Sequence, residues 1–114
     1  RHLLWILGTE EGRQAVFAGY DLSGLDLSHR NLNQAVFTGS RMTETNLEET
    51  ELCFSDFSNV QMINCSLKGI TAEEARFQDV FMDHCDCQGA YFTHSDFTNA
   101  RIMDSIPAWT IQNG

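Results

Sequence analysis

Cys85, Asp86 and Cys87, with His84 beside them, form the densest group of metal-ligating residue types in the chain. Zinc would take such thiolates and an imidazole, but only if four ligands converge on one tetrahedral point. Nucleophilic catalysis would need a base within hydrogen-bond reach of a thiol or hydroxyl. Four histidines are available, at 2, 29, 84 and 94, and a further two cysteines, at 53 and 65. No phosphate-binding glycine loop, GxSxG or HExxH occurs in the sequence. Whether these groups meet depends on the backbone that carries them.

That backbone is written as a repeat. From Ala15 the chain divides into eighteen consecutive units of five, ending at Asp104, with no insertion or deletion. The third position of the unit is Phe, Leu, Met or Ile in sixteen of the eighteen; Ala72 and Cys87 are the exceptions. The first position is Ala, Ser, Thr, Val or Cys in fourteen, with Tyr20, Leu25, Arg30 and Ile70 departing. A period of five suits neither a helix nor a plain strand. In extended backbone, positions one and three face the same side. Each unit therefore turns one small and one large group inward and then bends.

Four units make one coil. Phe recurs at 17, 37, 57, 77 and 97, a spacing of twenty residues. The next columns read Leu22, Met42, Met62, Met82, Ile102, then Leu27, Leu47, Leu67, Cys87, then Leu32, Leu52, Ala72, Phe92. Like stacks on like because a thin core must hold nearly constant volume at each level. Over residues 15–104 the pattern resembles the pentapeptide-repeat proteins, whose units read roughly Ala-Asp/Asn-Leu-x-x. The resemblance implies an all-β fold, a right-handed, four-sided (quadrilateral) parallel β-helix of about four and a half coils, ~22 Å tall at the strand spacing of a sheet.

On such a coil Cys85 and Cys87 point inward while His84 faces out at a corner, so the thiols read as small core fillers and not as ligands. Cys65 lies one coil below Cys85, close enough for a disulfide in principle, although reduced thiols fit the absence of secretory context. Cys53, at a fourth position, is expected to be exposed. Histidines at fifth positions sit on different corners, and the core is too thin for a substrate pocket. No catalytic residue, cofactor or metal is expected. The second-position Asp and Asn (21, 26, 31, 46, 56, 86, 96) are expected to bond neighbouring backbone at the turns. Arg30 falls at an inward position and must bend outward or distort its coil.

A solenoid needs caps. Residues 1–14 are read as an N-terminal cap with a short helix and Trp5 as lid, and 105–114 as a C-terminal cap, where Pro107 stops the ladder and Trp109 and Ile111 fold over the end. Because the chain starts at Arg1, a trimmed piece of something longer is expected.

Function must then lie on outward positions. Ile63, Phe81 and Met103 are apolar there, on the second side, flanked by Arg41 and Arg101; such a patch suggests contact with a protein partner or another copy, hence a possible homodimer. Phe54 and Tyr91 suggest a smaller patch on the fourth side. Glu48, Glu49, Glu51, Glu73 and Glu74 suggest an acidic surface on the third and fourth sides. The net charge of −9 argues against direct nucleic-acid binding. The longest apolar run, Leu3 to Leu7, is too short to span a bilayer. The expectation is a non-catalytic macromolecule-binding or scaffold module, cytoplasmic, with a secreted effector as the other setting. Two alternatives stand beside it. One is a spacer or targeting domain of a larger protein. The other is the DNA mimicry that the family resemblance implies, directed at a type II topoisomerase and protecting gyrase from quinolones. The repeat carries fourteen acidic against five basic residues, or roughly one net charge per 2.4 Å against ~1.7 Å in the duplex. The rod matches only about six base pairs, and the C-terminal tail offers no dimerising helix.

Overall fold

A computed structural model describes residues 15–105. The expected caps, with Trp5 and Trp109, lie outside the described residues. Four parallel strands, β1 (Arg41–Thr43), β2 (Gln61–Ile63), β3 (Phe81–Asp83) and β4 (Arg101–Met103), form one sheet in the order β1-β2-β3-β4. Their register is twenty residues: Arg41 pairs with Gln61, Gln61 with Phe81, and Phe81 with Arg101. The other three sides are joined by isolated parallel bridges at second positions, such as Val16–Val36, Asp26–Asn46 and Asn31–Glu51. One coil of twenty residues with a ladder on each of four sides is a four-sided parallel β-helix. No helix occurs among the described residues.

The core is the pair of inward columns predicted by the repeat. Phe17, Phe37, Phe57 and Phe77 are fully buried and stack ring on ring, with centroids 4.5–5.1 Å apart, and Phe97 closes the column 4.8 Å from Phe77. Offset stacking of this kind adds about 0.5–1.5 kcal/mol per pair beyond burial. The fourth column changes from Leu52 to Ala72, and Phe92 above it meets Phe77 and Phe97 edge-on. Ala72 thereby leaves no apolar surface exposed despite its size.

Turns are set by the last two positions of each unit. All eighteen fifth positions have positive φ, thirteen of them at residues other than glycine. A type II turn requires this at its third residue. On the first side the turn closes in every coil, as in Tyr20 N–H to the Phe17 carbonyl (3.1 Å) and Ser40 N–H to the Phe37 carbonyl (2.9 Å). The second-position residues brace it. All seven Asp and Asn expected to do so accept a bond from the N–H two residues on, at 2.9–3.1 Å. Hydroxyls of Ser23, Ser28 and Thr98 bond Asp21, Asp26 and Asp96 as well, and hold these carboxyls below the usual range, with the neighbouring backbone N–H adding to it.

Candidate functional site

The second side differs from the rest in carrying three-residue strands. From β1 onward its third-position carbonyls accept no turn-closing bond; instead the side chain at the first position of the next coil reaches in. The Cys65 thiol donates to the Met42 carbonyl at 3.2 Å and the Cys85 thiol to that of Met62 at 3.6 Å. In the first coil Thr45 Oγ1 does the same to Leu22 at 2.8 Å. Three residues per coil stay extended here, and among the described residues this side alone is a regular sheet; the capping itself is shared, since Thr50 Oγ1 bonds the Leu27 carbonyl at 3.0 Å and Ser95 Oγ that of Ala72 at 2.6 Å. The expectation that Cys65 and Cys85 are core groups is met, with a donor role added. The bond to Cys85, then burial, holds the Cys65 thiol above its ordinary range, and burial pushes Cys87 up to about 12.

This sheet presents two outward columns. One reads Arg41, Gln61, Phe81, Arg101 and the other Thr43, Ile63, Asp83, Met103. Phe81 and Ile63 are half-buried and Met103 is 45% exposed. The three apolar residues thus share a face, but Asp83 stands between Ile63 and Met103 in their column. Arg41 and Arg101 are exposed above and below in the Phe81 column. A shallow groove of about 320 Å³ runs beside Arg41 and Ile63, lined also by Asp21, Ser23, Thr43 and Gln61.

The fourth side does not assemble a comparable patch. Phe54 (57% exposed) and Tyr91 (63%) occupy different columns two coils apart. Phe54 instead borders a depression of about 290 Å³ with Val36, Asp56, Glu74 and Arg76. Of the acidic residues, Glu48 accepts from Ser66 Oγ at 2.8 Å, Glu51 from Asn33 Nδ2 at 3.4 Å, and Glu49 faces His29 at 3.7 Å. Glu73 and Glu74 are exposed at the far end of the fourth side.

Two expectations need correction or completion. Cys53 is half-buried, because its Sγ lies 3.8 Å over the Thr71 carbonyl of the next coil. Arg30 is exposed; its backbone stays in the ladder, with its carbonyl accepting from Glu51 N–H at 3.0 Å, and the side chain turns out. Sequence reasoning also missed a meeting of Asp83, His84 and Asp104 at one corner. The twenty-residue spacing of His84 and Asp104 was the available signal.

The sequence profile described as pentapeptide repeats matches residues 31–69 and 73–106, in eight copies. The chain belongs to the pentapeptide-repeat family. Among solved structures it is similar to a pentapeptide repeat protein from the Arabidopsis thaliana thylakoid lumen, at 21% identity and a TM-score of 0.75, over 78% of this chain and 62% of that one. It thus spans about three fifths of that protein's length. A pentapeptide repeat protein from the cyanobacterium Cyanothece matches at 18% identity and TM-score 0.39, with 90% of each chain covered. A plasmid-mediated fluoroquinolone resistance protein matches at 13% identity and TM-score 0.33, over 75% of this chain and 68% of that one. No curated protein matches by sequence. Within the pentapeptide-repeat fold, no helix among the described residues is long and apolar enough to cross a membrane.

Proposed function

We propose that this pentapeptide-repeat domain is a non-catalytic binding module and that its second side is the face that meets a protein partner. The observation that supports it is the outward placement of Phe81, Ile63 and Met103 on the one side built as a regular sheet, with Arg41 and Arg101 at its margins. Aromatic and Met side chains with flanking Arg are the types enriched at protein interfaces. A flat, rigid sheet costs little ordering on binding. The surface depressions beside it are shallow grooves between side-chain columns, which suits contact better than enclosure of a substrate.

The test uses substitutions that the register itself supplies. Phe81→Gln, Ile63→Thr and Met103→Thr place in each column a residue it already carries at Gln61 or Thr43. Wild type and triple variant are compared by pull-down from native lysate with mass spectrometry, and by light scattering. A partner, or a dimer, lost only in the variant supports the reading. A type II topoisomerase captured equally by both would favour the acidic surface and DNA mimicry. Monomers that capture nothing would leave a spacer role as the better account.

A further inference from the structure

At the corner that follows β3, Asp83, His84 and Asp104 each offer one ligand atom, and the three atoms lie within 4.8 Å of one another. His84 Nδ1 is 2.8 Å from Asp83 Oδ1. Stacking is forced by the coil: His84 and Asp104 are both fifth-position residues, with φ of 56° and 46°, so their side chains leave adjacent coils in parallel. The backbone under them is fixed. Asn64 N–H bonds the Asp83 carbonyl at 2.9 Å, and His84 N–H bonds that of Met103 at 3.0 Å. Metal binding would exchange the His84–Asp83 hydrogen bond for metal–ligand bonds on a backbone that stays in place.

Charge points the same way. Asp83 and Asp104 bring two carboxyl groups to this corner. Among the described residues neither forms an ion pair with Lys or Arg; the only partner is His84 itself, on Asp83. Other corners lack the set. His29 faces a single carboxylate, Glu49, at 3.7 Å, and the same corner in lower coils carries Gly24, Glu44 and Asn64.

We propose that Asp83, His84 and Asp104 bind a divalent transition-metal ion, with Zn²⁺ the best match. One imidazole nitrogen and two carboxylate oxygens are ligands zinc accepts at about 2.0–2.2 Å. Magnesium and calcium favour oxygen-only sets. Three protein ligands leave a position open for water or for a side chain from a partner docked on the adjoining face, next to Met103.

The test is titration calorimetry of the full chain with Zn²⁺ in a non-chelating reductant, on wild type, His84→Asn and Asp104→Asn. Asn64 already occupies this column with φ of 56°, so both variants keep a tolerated backbone residue, and circular dichroism verifies the fold. One equivalent is expected to bind wild type, with affinity falling at least ~10-fold in either variant. A His94→Asn control is expected to leave binding unchanged. The His84 imidazole ¹⁵N resonances should shift when Zn²⁺ is added. Absence of saturable binding, affinity equal to wild type in both variants, unmoved imidazole resonances, or equal competition by Mg²⁺ would each overturn the assignment. Affinity equal to wild type would place any bound zinc away from this corner.

Discussion

On the second side, outward Phe81, Ile63 and Met103 stand on three-residue strands; on the fourth, Phe54 and Tyr91 stand on single-bridge turns. Both sides belong to the same rod and obey the same repeat. They differ in how third-position carbonyls are satisfied. Most fourth-side turns close on themselves, as in Ala35 N–H to Leu32 (3.1 Å) and Ser55 N–H to Leu52 (3.2 Å), while the Ala72 carbonyl accepts from Ser95 Oγ at 2.6 Å. Second-side carbonyls are capped by Cys65 and Cys85 from the coil above. Capping alone does not decide the shape of the outward face, since Ser95 caps Ala72 on the fourth side without a strand; what accompanies the sheet is the loss of the closing turn in successive coils.

The largest effect tests whether the fourth side depends on its core in compensation. Phe92 covers the space above Ala72 and meets Phe77 and Phe97 edge-on. Phe92→Ala removes it where no large neighbour in the column can replace it, and should cost about 3–5 kcal/mol. Urea unfolding measures this. A loss under about 1 kcal/mol would mean that the column collapses and that the stacked core is looser than drawn.

Next comes the carbonyl capping itself. Cys65→Ala leaves the buried Met42 carbonyl without its donor, at a cost of about 1–3 kcal/mol. Cys65→Ser, which keeps a donor, should stay close to wild type, as Thr45 already shows a hydroxyl in that role. Equal losses in the two variants would show that thiol volume, not hydrogen bonding, matters there.

Much of this was legible in the sequence. The inward columns, the twenty-residue register and the seven bracing Asp and Asn all follow from residue type and spacing. The left-handed fifth positions do not. Glycine, Asn or Asp occupies ten of them, but His29, Gln34, Glu44, Glu49, Phe54, Glu74, His84 and His94 hold the same backbone. Ladders above and below each coil over-determine it, so local preference is overridden. The candidate face was half legible: its three apolar residues are visible as departures, whereas Asp83 dividing their column, and its meeting with Asp104, require the strand register.

Phe54 shows the cost of that override. A bulky side chain at φ of 61° is strained, and it is also largely exposed. Phe54→Asn should stabilise the fold by about 0.5–1 kcal/mol, whereas Asn64→Gly at the second-side corner should change stability by less than about 0.5 kcal/mol. If Phe54→Asn destabilises instead, Phe54 packs on Val36 and Arg76 strongly enough to outweigh its strain, and the fourth side has a structured apolar knob after all.

Acid supplies the smallest effect and the sharpest division between sides. Asp21, Asp26 and Asp96 lie on the second, third and first sides, while the fourth-side second positions are Asn31, Glu51, Thr71 and Tyr91. Their carboxyls are depressed by the Ser23, Ser28 and Thr98 hydroxyls first and the backbone N–H second. A depressed folded pKa means that their stabilisation is complete above the unfolded value near ~3.9 and disappears as pH falls through the folded values. Urea midpoints should therefore drop between about pH 5 and pH 2. In the triple variant Asp21→Asn, Asp26→Asn, Asp96→Asn the drop should be shallower, because Asn accepts the same backbone bond without titrating, as Asn31 and Asn46 do. An unchanged slope would move the acid sensitivity to the other carboxylates. The Asx braces would then be equivalent on every side, charged or neutral, and the sides would differ only in their turns.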